Sequence, residues 1–170
     1  MEHYLTSTEL KQNLKRAKEL ARAGIVHVLE NGHEGYVLCS AQVYEEAMRA
    51  ARAEAVWEAE VREVCREGLR DKADGKARLR QGVHVAQTAE RDLTLEYDGR
   101  GLSELEHVLT RIGEDPEFGL AIELQGLSLG VRKVLVPPND LIYCWDKSLE
   151  AVIVLGIVHS LGFGEERLGT

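Results

Sequence analysis

The chain has no apolar run long enough to cross a bilayer. The longest stretch, Ala151 to Val158, falls far short of the roughly 20 residues a membrane helix needs. Nor does the N-terminus show a basic region followed by an apolar one, so no secretory leader is read there and a cytoplasmic protein is expected. Cysteine is scarce: Cys39, Cys65 and Cys144 are odd in number and widely spaced, and form no CxxC pair. That pattern excludes a disulfide framework and a clustered zinc site, and predicts buried thiols with neither metal nor cofactor. An excess of positive charge is also lacking, since the formal net charge is −8. Residues 1–82 carry 14 Lys or Arg against 14 Asp or Glu, and residues 83–170 carry 7 against 15, so the whole acidic excess lies in the second half. Any surface that meets nucleic acid must therefore be a local patch in the first half.

What is present reads most clearly between Thr6 and Ser40. Thr6 followed by Glu9 has the form of a capping box, which predicts a helix start. Leu10, Leu14, Ala17 and Ala21 recur at the spacing of one helical face, while Lys11, Lys15, Arg16, Lys18 and Arg22 fall mostly elsewhere, so a single helix with one packing side and one basic side is expected. Gly24 is read as a left-handed helix stop. The β-branched run Ile25, Val26, Val28 then begins a strand that turns at Asn31-Gly32, because both central residues of that turn must accept positive φ. Tyr36, Val37 and Leu38 return, and Ser40 is placed to cap the next helix. Asn31 and His33 are read as turn chemistry.

From Ala41 to about Arg70 the chain is rich in Ala, Glu and Arg, without proline and without glycine before Gly68, which predicts one long helix. Tyr44, Met48, Ala51 and Ala55 form one apolar stripe; Val61, Cys65 and Leu69, with Trp57 before them, form another. The shift of register between them implies two different partners. The alternating Glu and Arg residues are read mainly as a solvated face. Residues 71–82, DKADGKARLRQG, gather charge and glycine and are expected to be a linker.

Beyond it, His84 to Gln87 alternates weakly and Leu93, Leu95 and Tyr97 alternate better. The stretch from Thr88 to Tyr97 fits either helix or strand, and a strand is expected for Leu93 to Tyr97. Leu102, Leu105, Val108, Leu109 and Ile112 return to helical spacing, with Ser103 and Glu106 as a candidate capping pair. Four β-rich runs follow, Leu120 to Leu124, Val131 to Val136, Leu141 to Trp145 and Ala151 to Val158. Short turns between them predict antiparallel neighbours, and AVIVLGIV, apolar on both faces, predicts a central strand. The fold class expected is α+β: a small αβ domain with a long helix over 1–70, a linker over 71–82, and an antiparallel sheet with a packed helix over 83–170.

The run TSTELKQNLKRAKELA with VHVLENGHEGYVLCSAQVYEEAM resembles the N-terminal domain of the Phd/YefM family of bacterial antitoxins over about the first fifty residues. The resemblance implies a homodimer formed through this domain, binding to operator DNA with autorepression, and a following segment that wraps a toxin. Thr8, Lys11, Gln12 and Lys15, near the start of the basic helix, are the candidate DNA contacts. Trp57, Val61, Cys65 and Leu69 are the candidate toxin-neutralising face.

Gly130-Val131-Arg132, Leu141-Ile142-Tyr143 and Ile157-Val158-His159 resemble the strand motifs of the RelE/ParE toxin superfamily over about half of the second domain. That resemblance implies Arg132, Tyr143 and His159 as candidate catalytic residues of a ribosome-dependent mRNA endoribonuclease, or a gyrase-directed domain that needs no such cluster. Two features oppose nuclease activity. Ser160-Leu161-Gly162 stands where many relatives carry an arginine after the histidine, and the domain is acidic where a ribosome-bound nuclease is expected to be basic. The combined expectation is a fused antitoxin and toxin-like protein, its second domain silenced in cis or by the dimer mate, with ribosome or gyrase as targets only after release. The alternatives are an internally controlled endoribonuclease and an antitoxin-like interaction protein that binds no DNA.

Overall fold

Local signals at the N-terminus act as expected up to Asn13. In the computed structural model, which describes residues 2–127 and 129–161, the Thr6 side chain accepts the Glu9 amide while the Glu9 carboxylate accepts the Thr6 amide. The reciprocal cap holds the Glu9 carboxyl below its ordinary range, mainly through the Thr6 amide. The expected single helix is two: α1, Ser7–Gln12, and α2, Leu14–Ala23. Asn13 leaves helical geometry at φ −139° and ψ 66°, and its side-chain oxygen caps the second helix by accepting from the Arg16 amide. Asparagine competes for backbone donors in this way, and here the competition wins over helical continuity. The break turns Leu14 outward, leaving Ala17 and Ala21 as the buried pair. Gly24 also differs from expectation. Its φ of 175° is extended backbone, and the chain passes straight from α2 into the next strand.

The first of two units covers Met1–Ala53. Its sheet has the order β1-β2-β3, with β1 Glu2–Thr6, β2 Ile25–Glu30 and β3 His33–Leu38; β1 and β2 run parallel, and β2 and β3 form the hairpin at Asn31-Gly32. Both turn residues take positive φ, 51° and 79°. The core of this unit is small: Leu5, Ala17, Ala21 and Val26 cluster, with Leu10, Leu20 and Leu38 packed partly against them, and Val28 is also fully buried. Ser40 accepts the Val43 amide and starts α3, an unbroken helix over Ala41–Ala73.

The second unit covers Glu54–Thr170, so the division falls within α3 rather than at residues 71–82. That segment is not a linker. It completes α3, turns at Gly75 with φ 70°, and forms β4, Arg78–Arg80, which pairs antiparallel with β5, Val83–Val85. Charge and glycine marked turns here, and the expectation took them for loss of structure.

Two helices follow, α4 Gln87–Glu96 and α5 Gly99–Glu114. The strand expected at Leu93 to Tyr97 is therefore the end of α4 and its C-cap. Ala86, Ala89 and Leu93 are buried at helical spacing, whereas Leu95 is 76% exposed, so the apparent alternation was accidental. Ser103 and Glu106 lie inside α5 and cap nothing, because the helix begins four residues earlier. Next come β6 Leu120–Ile122, β7 Val131–Val136, β8 Asn139–Asp146 and β9 Ala151–His159.

The six strands have the order β4-β5-β9-β8-β7-β6. The last four form an antiparallel meander; α4 and α5 carry the chain from β5 to β6 at the far edge, and the meander returns so that β9 runs parallel to β5. As expected, AVIVLGIV is an inner strand. Its side chains serve two cores, alternating as far as Leu155, where a register shift against β8 changes the parity. Val152 and Val154 join Leu93, Leu105, Leu109 and Ile112 on the side of α4 and α5, while Ile153, Leu155 and Val158 meet Trp57, Val61 and Cys65 of α3.

Close approach of α3 depends on two glycines. A Cβ at Gly68 would stand 2.6 Å from the Leu155 carbonyl oxygen and 2.7 Å from its Cα, and one at Gly156 would collide with Val64. Replacing a helical glycine with alanine ordinarily gains about 1 kcal/mol of propensity. At Gly68 the steric term opposes this and is larger, since overpacking against backbone costs about 1–3 kcal/mol or more. Gly68→Ala is therefore expected to lower the urea midpoint of the second unit, and a raised midpoint would contradict the close packing of helix on sheet.

Candidate functional site

The first candidate surface is the exposed side of α1 and α2. Thr8, Lys11 and Gln12 on α1 and Lys15 on α2 are all exposed, as are Arg16, Lys18 and Arg22. Among the described residues none of these cations is held in a salt bridge. The break at Asn13 places the four candidates on two short helices instead of one. Their ammonium and amide groups remain available to an anionic partner.

The second candidate surface is the sheet of the second unit, and here the three proposed catalytic side chains are not gathered. Arg132 on β7 stands opposite Tyr143 on β8. The two meet through the backbone of Gly119: its amide donates to the Tyr143 hydroxyl at 2.8 Å, and the Arg132 guanidinium donates to its carbonyl at 2.6 Å and to that of Glu117 at 2.9 Å. Tyr143 is wholly buried, and burial pushes its hydroxyl above the ordinary pKa, against the opposing pull of the Gly119 amide and Arg132. His159 is exposed at the end of β9, opposite Asn139. Asn139 precedes Tyr143 by four residues on β8, a span of about 13 Å at the usual rise per residue. One guanidinium bound to main-chain carbonyls, one enclosed phenol and one distant imidazole do not converge on a single phosphate. Within Ser160-Leu161-Gly162, Gly162 lies outside the described residues.

The four residues expected to neutralise a toxin pack against the sheet of the second unit. Trp57, Val61 and Cys65 are buried against Ile142, Cys144, Ile153 and Leu155, and Leu69 packs partly against the same cluster. Tyr143, one residue from Ile142, points to the opposite face and belongs to the α4–α5 core. At the start of this contact the Lys133 ammonium lies over the face of the Trp57 ring, 4.5 Å from its centre, and donates to Asp140, so charge as well as buried area holds the ring to the sheet. Cys65 and Cys144 sit in this cluster, and burial raises their thiols to about 11 and about 12, so both are inert packing groups. Cys39 is only half-buried.

Sequence reasoning did not find the residues that pin the far end of the helix. Lys72 pairs with Asp146 at 2.5 Å and donates to Ser148 at 2.9 Å, and Asp146 also accepts from the Ser148 amide and hydroxyl and the Leu149 amide. Asp71, one residue earlier and buried, accepts the amide and hydroxyl of Thr88. It thereby caps α4, whose own N-cap residue, Ala86, has no side chain able to do so. Burial alone pushes the Asp71 carboxyl up, but the Thr88 donors with Lys76 and Arg70 outweigh that and hold it below the ordinary range. The signal available was an uncapped α4 start and an Asp-Lys pair ending a long helix. The Asp71-Lys72 pair falls within the expected linker, and the start of α4 within the stretch from His84 to Gln87 read as weakly alternating.

An open groove of about 790 Å³ runs beside α3 and β6, with Glu58, Arg62, Glu123 and Arg132 among its lining residues. Its charges are mixed in sign, and Arg62 is bound to the Gln125 carbonyl. Among the described residues no three His, Cys, Asp or Glu side chains converge as metal ligands, and no helix is long and apolar enough to cross a membrane. Comparison with protein-family models, with curated proteins and with solved structures found no match.

Asp146 gives this anchoring a pH signature. Lys72 first, then Ser148, hold its carboxyl far below the usual carboxylate range. A carboxyl depressed on folding contributes stability that is present above its unfolded pKa, about 4, and lost as the pH falls toward the folded value. Asp146→Asn should therefore cost about 3 kcal/mol in denaturant titrations near neutral pH, because it strands Lys72. The gap between wild type and variant should close progressively below about pH 4. A gap independent of pH would show that the carboxylate charge is not what holds the helix end.

Proposed function

We propose that this chain is a fused antitoxin and toxin-like protein of the cytoplasm: a Phd/YefM-like domain that binds operator DNA as a homodimer and represses its own operon, joined to a RelE/ParE-like domain kept silent by α3. The observation that carries this reading is the seating of Trp57, Val61 and Cys65 on β8 and β9 of the same chain. A segment expected to cover a partner's sheet covers one in cis. A tethered cover acts at high effective concentration and leaves the intact protein without an exposed working face.

Three further observations support it. The motif residues of the second domain fall on three successive neighbours in the sheet, β7, β8 and β9. The lysines of α1 and α2 are exposed and free of ion pairs among the described residues, as a phosphate-binding surface requires. The buried apolar residues described in the first unit are few and mostly small, Leu5, Ala17, Ala21, Val26 and Val28, a core on the small side for some fifty residues, which favours association with a second copy. Silence in the second domain agrees with an Arg132 committed to carbonyls, an enclosed Tyr143 and a distant His159. A gyrase-directed ancestry would need none of these to be catalytic.

A gel shift with the DNA upstream of the coding sequence tests the first half of the proposal. The intact chain is expected to bind, and the double change Lys11→Ala, Lys15→Ala to weaken binding and reduce the salt slope by about 2. No shift at low salt would favour an interaction protein that binds no DNA. Incubation of the intact chain with ribosomes and mRNA tests the second half, with intact message as the expected result. Cleavage that disappears in an Arg132→Ala, His159→Ala chain would replace the silent domain with an internally controlled nuclease.

A further inference from the structure

Among the described residues the first apolar stripe of α3 joins none of the buried clusters. Tyr44 is 57% exposed, Ala51 and Ala55 are exposed, and Met48 is half-buried. The four follow one another at intervals of four, three and four residues along an uninterrupted helix, the spacing at which two helices interlock side chains along a shared seam. We propose that this stripe pairs with the same stripe of a second copy, the two helices running antiparallel. The inference rests on the homodimer reading above and adds the surface and the direction of the pairing.

Size and charge both select that direction. With the twofold axis between residues 49 and 50, Tyr44 meets the partner's Ala55 and Met48 meets the partner's Ala51. Each large side chain thus faces a small one, and the helices approach at the close end of the usual 8–10 Å range. A parallel pair would set tyrosine on tyrosine and alanine on alanine, crowding one layer and leaving a void in the next. Flanking the seam, Glu45 comes alongside the partner's Arg52, and the symmetry repeats that pair. On the other flank Ala47 comes alongside the partner's Glu54, so no like charges meet. In the parallel arrangement Arg52 would flank the partner's Ala47 and lose its carboxylate. The seam spans three turns, which is smaller than a standard stable interface. It therefore works with other contacts of the first unit and sets their geometry.

Cysteine cross-linking in the full chain, with Cys39→Ser to remove the half-buried native thiol, reads the direction. Tyr44→Cys with Ala55→Cys is expected to give a covalent dimer under mild oxidation. Tyr44→Cys alone is expected not to, since the two copies of residue 44 would lie about 16 Å apart at 1.5 Å rise per residue. Cross-linking by Tyr44→Cys alone would overturn the antiparallel pairing. Charge reversal gives an independent readout by light scattering. Glu45→Arg and Arg52→Glu should each weaken the dimer by about tenfold, and the double reversal should restore it. A dimer unaffected by these changes and uncross-linked by either cysteine set overturns the helix pairing while leaving the homodimer reading intact. A chain that is monomeric throughout removes both.

Discussion

How near a helix can come to a sheet is set by what stands between their backbones, and in the second unit almost nothing does. Gly68 of α3 faces the main chain of Leu155, and Gly156 of β9 makes room for the side chain of Val64, so at each point of contact one of the two surfaces presents no Cβ. That approach lets Val61 and Cys65 reach full burial against Ile142, Cys144, Ile153 and Leu155. The polar ties then follow from position. Once the helix lies this close, Asp71 can reach the uncapped start of α4 and Lys72 the turn between β8 and β9. The apolar stripe packs the helix on the sheet, and the two adjacent carboxylate and ammonium groups of Asp71 and Lys72 tie down its end.

The same contact governs what the second unit can do. With α3 on one face and α4 and α5 on the other, the inner strands are covered on both sides, and Tyr143 is enclosed. Arg132 and Tyr143, though adjacent, are used to hold the backbone of Gly119. The surplus of acidic residues in this half works against attraction to RNA. In the first unit the balance is reversed: little is buried, cations lie free on the helices, and apolar side chains such as Tyr4, Val37 and Tyr44 remain exposed.

Local chemistry was the legible part of the sequence. The Thr6–Glu9 box, the Asn31-Gly32 hairpin, the Ser40 cap, the length of α3 and the inner position of AVIVLGIV all follow from rules that act over a few residues, and all stand in the structure. The departures arise where two local rules compete or where a distant partner decides. Asn13 had both helix and cap available, and took the cap. Leu93, Leu95 and Tyr97 fitted both periods, and the burial of Ala86, Ala89 and Leu93 in a tertiary core selected the helix. Asp71 and Asp146 could not be recognised as anchors, because their partners, Thr88 and Lys72, are respectively 17 and 74 positions away. For the same reason the gathering or separation of Arg132, Tyr143 and His159 was beyond any reading of spacing.

Native-state hydrogen exchange measures the central contact directly, because it reports the opening free energy of each amide in the intact chain. If the second half of α3 is an integral layer of the sheet domain, the amides of residues 57–69 will exchange only through the same opening that exposes β8 and β9. Their free energies of opening will agree within error and fall together as denaturant is added. Helix amides that exchange through a separate, much cheaper opening while β8 and β9 stay protected would show a helix resting on a domain that folds without it, and would contradict the account.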